Sequence, residues 1–366
     1  SIYHTAKGEV VSEKLADLVS QVRQHDNIRL YLNTEIQNVD GFVGNFKTNL
    51  LEYGREIELE HGAAFLATGA KPYTPTEYSY GQDDRILTSL ELDKKFMDND
   101  PALEKLNGAA FIQCVGSREP GRMYCSRVCC THSIENAIEL KHRNPEMNVY
   151  ILYRDIRTYG EKEYLYKQAR QQGVIFIRYS LEDKPQVEVR DDGIAITVTD
   201  HILNRPVELN VDLLTLASAI VPNADEKLAN FFKVPMNEDG FFIERHAKLG
   251  PAEFATDGVY LCGMSHYPKP IDESVAQAKA AVSRAVTMLS RTSIFSSGTI
   301  AEVDPVHCAA CGVCVAICPY NAPSFAEEGR NAGKAQINPA LCKGCGLCVA
   351  SCRSGAIHLK GFDTNQ

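Results

Sequence analysis

The sequence predicts a large α/β region followed by a small α+β module near the C-terminal end. In the first part of the chain, short apolar segments that end in glycine turns alternate with segments of helical period, which is typical of α/β proteins. Beyond residue 300, eight of the thirteen cysteines form two copies of one spacing between short apolar segments. A length of 366 residues indicates two or three domains.

The two cysteine runs near the C-terminal end carry the strongest chemical signal in the chain. The first run comprises Cys308, Cys311, Cys314 and Cys318, and the second comprises Cys342, Cys345, Cys348 and Cys352. Thiolates at this C-x2-C-x2-C-x3-C spacing bind [4Fe-4S] cubanes, and in two-cluster ferredoxins the fourth cysteine of each run ligates the other cluster. We therefore expect one cluster at the first three cysteines plus Cys352, and a second at the later three plus Cys318.

Zinc and disulfide interpretations of these runs are weaker. Zinc sites also use CxxC pairs, but usually two pairs with a longer spacer between them. A disulfide framework is typical of secreted proteins, and Ser1–Val10 has no charged-then-apolar signal segment. Reduced, metal-binding thiolates instead indicate a reducing compartment, so we expect a cytoplasmic protein.

Short apolar segments flank both runs and predict small strands. They are Thr299–Val303, Ala335–Asn338 and Ala356–Leu359, with a helix of one or two turns expected after each third cysteine. Each half of this cysteine-containing module is too small to bury a sufficient core alone, so the clusters would form part of its core and hold its segments together. The pattern predicts a bacterial-type two-cluster ferredoxin domain over residues 291–366, with a Ser- and Thr-rich linker at Ser290–Thr299.

Charge and hydropathy exclude some partners. The formal net charge is −9 at pH 7, and each oxidised cubane with four thiolates adds roughly −2 more. Nucleic acid is therefore not expected as a partner, because its phosphates would be repelled. No apolar stretch reaches the length of a membrane span, and the longest, such as Leu213–Val221, fit buried strands better.

A third group of four cysteines lies upstream of the ferredoxin runs. These are Cys114, Cys125, Cys129 and Cys130. Ala109–Gln113 predicts a strand that ends at the first of them, and Thr131–Arg143 predicts a helix that follows the last two, with Thr131 or Ser133 as its cap. A helix N-terminus and nearby arginines would stabilise anionic sulfur; the arginines are Arg118, Arg122 and Arg127. The spacing leaves two interpretations open, a metal cluster or buried cysteines without a redox role.

The surrounding pattern predicts an inserted α/β domain over residues 107–222 that carries this third group. Its expected elements are strands at Asn148–Tyr153 and Val174–Tyr179, a helix at Glu161–Gln171, and an antiparallel meander of Val187–Val189, Ala195–Thr199 and Val207–Leu209. Outside it, the expected elements are helices at Ser12–Arg23 and Asp225–Phe232 and a strand at Ile28–Leu32.

Three segments, taken in their order, resemble parts of the two-dinucleotide-domain flavoproteins, the glutathione and thioredoxin reductase superfamily. They are Phe65–Pro72, Asp212–Asn223 and Thr256–Gly263, the last followed by a helix that opens at Ser274 and runs to about Leu289. The resemblance implies a partial FAD-binding domain over residues 1–106 and 223–290. It also implies FAD contacts at Ala67, Thr68, Gly69, Gly263, Ser274, Val275, Ala276 and Gln277.

The chain departs from that superfamily at two places. It has no G-x-G-x-x-G, so the loop for the FAD pyrophosphate is missing; an upstream segment, a second protein of the complex or a loss of flavin binding would each explain this. After Ala109–Gln113, where an NAD(P)H-binding relative carries a second glycine fingerprint, the chain continues with Cys114-Val115-Gly116-Ser117. A candidate cluster site thus takes the place of a nicotinamide phosphate loop.

Longer strings identify a narrower family. The chain closely resembles the HdrA family of heterodisulfide reductases in its CVGSR and YCSRVCC strings, in Leu152–Gly160, Gly173–Tyr179 and Gly240–Phe242, and in the double ferredoxin run. The resemblance implies that Cys114, Cys125, Cys129 and Cys130 bind a third [4Fe-4S] cluster. It also implies FAD in the complete protein, whose N-terminal glycine fingerprint is not in this sequence.

Members of that family are iron–sulfur flavoprotein components of multi-subunit oxidoreductases. The resemblance implies an electron-transfer hub between FAD and several clusters, with flavin-based bifurcation or confurcation. The implied partners are ferredoxin, a small iron–sulfur donor protein, and disulfide-reducing proteins equivalent to HdrB and HdrC. Two alternatives stay open: a flavin-free iron–sulfur relay, or a related component of a quinone-linked or aromatic-ring-reducing complex of the benzoyl-CoA reductase type.

Overall fold

The computed structural model describes residues 10–293 and 298–362, which form two compact units. The first unit contains residues 10–30, Gly69–Asn223 and Tyr267–Glu273; the second contains Tyr31–Thr68, Ala224–His266 and the described residues from Ser274 onward. Most of Ser1–Val10, and residues 294–297 of the expected linker, lie outside the described residues.

The described residues contain eight α-helices and three short 3-10 helices. The α-helices are α1 (Val11–Gln24), α2 (Ser89–Met97), α3 (Cys129–Arg143), α4 (Glu163–Gln171), α5 (Glu226–Phe232), α6 (Ile271–Leu289), α7 (Val313–Ile317) and α8 (Leu347–Ala350). The 3-10 helices are Pro101–Lys105, Gly160–Lys162 and Gly263–Ser265.

Nineteen strands occur in the same described residues. The first ten are β1 (Thr34–Phe42), β2 (Asn45–Glu52), β3 (Arg55–His61), β4 (Ala64–Leu66), β5 (Ala70–Pro72), β6 (Ile86–Thr88), β7 (Gly108–Val115), β8 (Asn148–Tyr153), β9 (Ile175–Arg178) and β10 (Gln186–Arg190). The others are β11 (Gly193–Asp200), β12 (Arg205–Val211), β13 (Leu213–Ser218), β14 (Ile220–Pro222), β15 (Val259–Leu261), β16 (Ala301–Val303), β17 (Pro323–Phe325), β18 (Ala335–Ile337) and β19 (Ile357–Leu359).

A parallel five-stranded sheet, in the order β6-β13-β7-β8-β9, forms the centre of the first unit. Successive residues of a strand point to opposite faces, so β7 needs apolar residues throughout when both faces are covered. Phe111 packs with Ile134 of α3 on one face, and Ile112 packs with Ile194 of β11 on the other. From β7 the chain continues to β8 and β9 on one side of the sheet, while β13 and β6 lie on the other side of β7. The strand order therefore reverses at β7. In sheets of this kind, ligands bind at the carboxyl ends of the strands where the order reverses.

The second unit begins with an antiparallel sheet, β1-β2-β3, and a parallel pair, β15-β4. Phe46 of β2, Phe232 of α5 and Phe254 are buried in one apolar core with Leu66 and Leu261, the last residues of the parallel pair. Because β4 and β15 run in the same direction, the chain leaves both at one edge, after Leu66 and after Leu261.

The C-terminal part of the second unit is made of two strand pairs that link the cysteine runs. β16, before the first run, pairs antiparallel with β19, after the second run. Between the runs, β17 pairs antiparallel with β18. The core of this part includes cysteines as well as apolar residues, since Cys308, Cys314 and Cys348 are buried in it.

Several predicted elements differ from the structure in their bounds. The helix expected at Thr131–Arg143 begins at Cys129, so Cys129 and Cys130 form its first turn, and neither Thr131 nor Ser133 caps it. The helix expected to open at Ser274 begins at Ile271. The meander, the strands of the inserted domain and the small strands around the cysteine runs are confirmed with small shifts.

The strand expected at Ile28–Leu32 is wrong. The segment pairs with no strand among the described residues, and Ile28, Leu30 and Leu32 are 43%, 43% and 57% exposed. Alternating apolar residues form a strand only where a neighbouring strand pairs with their amides and other residues cover their side chains. Within the described part of the chain, this segment lacks such a neighbour and stays irregular.

Candidate iron–sulfur and flavin sites

One cavity in the ferredoxin part is lined by the four cysteines predicted for the second cluster. Cys318 lines it together with Cys342, Cys345 and Cys348. Burial raises the pKa of Cys348, and the neighbouring thiols of Cys342, Cys318 and Cys345 raise it further. The fourth cysteine of the first run therefore lies with the second run, as crossed ligation requires.

The counterpart site contains the first three cysteines of the first run. Burial raises the pKa of Cys314, and the neighbouring thiols of Cys308 and Cys311 raise it further. Cys352 packs against the buried cluster of residues that contains Cys308 and Cys314. β16 pairs antiparallel with β19, and a hydrogen bond of 2.7 Å from Asp304 N to Ala356 O extends this pairing. The segment after Cys352 is thereby joined to the segment before Cys308.

Backbone amides of the ferredoxin part donate to cysteine sulfurs. Ala301 N lies 3.3 Å from Cys342 Sγ, and Ala310 N lies 3.4 Å from Cys308 Sγ. Burial acts to raise the pKa of Cys352, but hydrogen bonds from the Ser354 hydroxyl and from nearby backbone amides outweigh it and lower that pKa. Donors of this kind stabilise thiolates, so the chemistry of both sites fits cubane ligation.

The two halves have matching backbone geometry before their short helices. Gly312 and Gly346 each precede a helix with φ of +76°, in the left-handed region that favours glycine. Each helix contains the third cysteine of its run, Cys314 or Cys348, whereas the sequence predicted the helix after it. The repeat in sequence is therefore a repeat in structure.

The third group of cysteines is brought together at the carboxyl end of β7. Cys114 lies in β7 with φ of +62°, while Cys129 and Cys130 lie in the first turn of α3. Burial raises the pKa of Cys129 well above its ordinary value, and the thiols of Cys130, Cys114 and Cys125 raise it further. All four thiols are thus close enough to interact, which fits a shared metal cluster.

Burial also raises the pKa of Cys130 to about 12, although a hydrogen bond from the backbone of Arg157 acts to lower it. Four neighbouring thiols, of which those of Cys129 and Cys130 are buried, repel one another as anions. Bound iron would offset this repulsion, because its positive charge compensates the thiolates once their protons are displaced. Arg127 N lies 3.3 Å from Cys125 Sγ and provides one amide donor to that sulfur.

Arg118 and Asp155 complete this site, and sequence reasoning did not connect them. Arg118 Nη1 lies 3.9 Å from Cys114 Sγ, and Arg118 Nη2 donates to Asp155 Oδ2 at 2.5 Å. Burial acts to lower the pKa of Arg118, but the hydrogen bond to Asp155 and the charge of Cys114 outweigh it, so the guanidinium stays charged. Asp155 follows β8, the neighbour of β7, and parallel strands deliver such residues to one edge.

Among the described residues, no three His, Cys, Asp or Glu side chains converge closely enough to hold a single metal ion. A cubane does not need such convergence, because each thiolate binds a different iron of the cluster. The three cysteine sets therefore fit ligation of clusters and not binding of a single ion.

The candidate flavin residues of the second unit lie around the edge where β4 and β15 end. Ala67 and Thr68 follow β4, and Gly263 follows β15. Gly263 has φ of +74°, and a Cβ added there would meet no atom within 4 Å, so its backbone is open to close approach by a ligand. Gly69 belongs to the first unit, where its carbonyl accepts a 3.5 Å hydrogen bond from Asn223 N.

Gln277 connects α6 to Gly263. Its Oε1 accepts from Gly263 N at 3.1 Å, and its Nε2 donates to Pro251 O at 3.0 Å and to His266 Nδ1 at 2.8 Å. Since Gln277 Nε2 can only donate, His266 carries its proton on Nε2, which donates to Glu244 Oε2 at 2.8 Å. Gln277 thus positions the Gly263 loop.

The other three candidate residues of α6 lie further into the helix than the sequence predicted. Because α6 begins at Ile271, these residues lie in its first two turns, where Ser274 is partly buried and Val275 and Ala276 are exposed. The signal for the earlier start was present in the sequence, since Pro270 precedes two acidic residues, Asp272 and Glu273, in the first turn.

One family model matches the C-terminal part of the chain. Residues 307–356 match the family described as the 4Fe-4S dicluster domain. The fold of the chain is similar to that of thioredoxin reductase of Lactococcus lactis, with a TM-score of 0.50, 14% identity, and coverage of 77% of this chain and 82% of that chain. The chain thus combines an α/β fold like that of thioredoxin reductase with a dicluster domain at residues 307–356. No helix among the described residues is both long and apolar enough to cross a membrane.

Relatives of higher sequence identity include two A subunits of heterodisulfide reductases. The chain is 38% identical over 299 residues to the A subunit of the H(2):CoB-CoM heterodisulfide,ferredoxin reductase of Methanothermobacter thermautotrophicus, covering 76% of this chain and 45% of that protein. It is 36% identical over 293 residues to the iron–sulfur A subunit of the CoB–CoM heterodisulfide reductase of Methanocaldococcus jannaschii, covering 75% and 44%. The chain spans less than half the length of these relatives. From the identity over the matched part of the sequence, and from the geometry of its cysteines, we conclude that this chain belongs to the HdrA family of heterodisulfide reductases.

Proposed function

We propose that this chain is the electron-transfer hub of a multi-subunit oxidoreductase, with three [4Fe-4S] clusters and FAD. The observation that carries the proposal is the cavity in which Cys318 joins Cys342, Cys345 and Cys348, because crossed cluster ligation accounts for that arrangement. The convergence of Cys114, Cys125, Cys129 and Cys130 supports the third cluster.

The residues of the chain would place and tune these groups. When bound, clusters supply one-electron transfer, and a flavin supplies the exchange between two-electron and one-electron steps. Cysteine sulfurs hold the clusters, amides such as Ala301 N donate to those sulfurs, and Gln277 orders the backbone of Gly263 for close contact with the flavin. The remaining contacts to FAD would come from the other candidate residues, Ala67, Thr68, Gly69, Ser274, Val275 and Ala276.

The proposed reaction is flavin-based electron bifurcation or confurcation. The name of the Methanothermobacter relative contains both ferredoxin and the CoB-CoM heterodisulfide, which supports one low-potential and one disulfide branch. The proposed partners are ferredoxin, a small iron–sulfur donor protein, and acceptor proteins equivalent to HdrB and HdrC. We place the complex in the cytoplasm, because thiolate-bound clusters need a reducing compartment.

A reductive titration of the native complex tests this proposal. The complex is purified anaerobically through a tag on this chain, its flavin is extracted and quantified from one portion, and a second portion is titrated with dithionite. Expected are FAD in the extract, bleaching of the flavin absorbance, and cluster signals in EPR spectra. Cluster signals without any flavin would refute the hub and leave the alternative of an iron–sulfur relay.

A further inference from the structure

We propose that Arg118 sets the reduction potential of the third cluster by donating a charged hydrogen bond to the sulfur of Cys114. The inference rests on the proposed function, because it requires a cluster at Cys114, Cys125, Cys129 and Cys130. The redox change concerned is the addition of one electron to the cluster, with no bond formed or broken.

The position of Arg118 is fixed from both its backbone and its side chain. Its φ of +59° is uncommon for a residue other than glycine. This conformation is held by two hydrogen bonds: Arg118 N donates to Tyr124 O at 3.2 Å, and Arg118 O accepts from Arg154 Nη1 at 2.7 Å. A costly backbone conformation that several bonds maintain indicates a positional requirement, and here it directs the guanidinium to Cys114.

Asp155 orients the guanidinium and also contacts the same cysteine group. Its carboxylate accepts from Arg118 Nη2 at 2.5 Å and lies 3.8 Å from both Arg157 Nη2 and Arg178 Nη2. Its main-chain carbonyl oxygen lies 3.6 Å from Cys130 Sγ. Three guanidinium groups therefore share one carboxylate, so these four side chains together carry net positive charge.

Positive charge beside a ligating sulfur favours the reduced cluster, which carries one more negative charge than the oxidised cluster. The Arg118 side chain is only 20% exposed, so solvent screens this effect weakly. At the ferredoxin sites, the donors to sulfur are backbone amides and the Ser354 hydroxyl; within the described residues, no arginine or lysine donates to those sulfurs. We therefore expect a higher potential at the third cluster than at the ferredoxin pair, which favours the third cluster as the acceptor when the two exchange an electron.

The test is an EPR-monitored redox titration of the full chain with its clusters, comparing the natural protein with R118Q and R118K. The matched control is R122Q: the sequence also suggested Arg122 as a charge beside the sulfurs, but in the structure its guanidinium lies over the Tyr73 ring, 4.1 Å from the ring centroid. In R118Q, the reduction equilibrium of the third cluster should become about tenfold less favourable, equivalent to about 59 mV for a one-electron couple. R118K should show a smaller shift, and the ferredoxin signals and R122Q should not change.

The outcomes separate this inference from the proposed function. Absence of a third cluster signal in the natural protein would refute the third cluster and so the proposed function. A third signal with full iron content whose potential is the same in R118Q would overturn the inference alone. Loss of the third signal in both R118Q and R118K would also overturn it, because Arg118 would then be needed for assembly and not for tuning.

Discussion

Cys318 lies beside Cys348 in the structure, although one closes the first cysteine run and the other belongs to the second. The arrangement follows from strand pairing, because β16 before the first run pairs with β19 after the second, and β17 pairs with β18 between them. Each cluster site is therefore assembled from both halves of the repeat. Neither half could hold a complete cluster alone.

Replacing Cys318 with serine should remove the second ferredoxin cluster and keep the first. The substitution takes one of four thiolates from the cavity that contains Cys342, Cys345 and Cys348. Iron analysis should fall from about 12 to about 8 per chain, with loss of one cubane EPR signal. The matched control is Cys262→Ser, since Cys262 belongs to none of the three cysteine sets. If Cys318→Ser instead removed the cluster of Cys308, Cys311 and Cys314, the crossed assignment would be refuted.

Replacing Cys125 with alanine should delete the third cluster and leave the ferredoxin pair intact. Cys125 interacts with Cys129 and Cys130 and lies in a different unit from the ferredoxin cysteines. EPR spectra of the reduced variant should retain the interacting pair of ferredoxin signals and lack one further signal. Spectra indistinguishable from those of the natural protein would show that this cysteine group binds no cluster.

Removal of iron should unfold the ferredoxin part before the parallel sheet. The core of the ferredoxin part is small and includes Cys308, Cys314 and Cys348, so it depends on the clusters. The sheet of the first unit has an apolar core on each face, with Phe111 and Ile112 fully buried. After anaerobic treatment with an iron chelator, limited proteolysis should cleave within residues 298–362 first. Equal protection of both regions would contradict a structural role for the clusters.

Replacing Gln277 with leucine should loosen the Gly263 loop. The change leaves Gly263 N, Pro251 O and His266 Nδ1 without their bonds to Gln277, at a cost of roughly 1–2 kcal/mol in the free energy of unfolding of the second unit. Denaturant titration measures the loss, and FAD content should fall as well. The control is Lys279→Ala, an exposed position on the same helix. An unchanged midpoint in Gln277→Leu would mean that these bonds do not order the loop.

The cysteine sites were predictable because their chemistry is local in sequence. A fixed spacing determines which thiolates can reach one cubane, and the crossed ligation of Cys318 follows from the doubling of that spacing. The parallel sheet was also predictable in part from a local pattern. Strands buried on both faces, such as Gly108–Val115, are continuous apolar runs in the sequence.

Contacts between distant segments could not be predicted in the same way. Arg118 meets Asp155 only because β7 and β8 end at one edge, and spacing along the chain does not contain that information. The β1-β2-β3 sheet was missed because strands such as Arg55–His61 carry many charged residues, and its pairing depends on neighbours.

The content of iron and sulfide tests the presence of three cubanes in one chain most directly. Iron and acid-labile sulfide should be measured after anaerobic purification of the full chain, together with EPR spectra of the reduced protein. We expect about 12 iron atoms and about 12 sulfides per chain, with three cubane contributions in the spectra. About 8 of each would contradict the third cluster, and a colourless protein whose cysteines all react with an alkylating reagent would contradict the whole assignment.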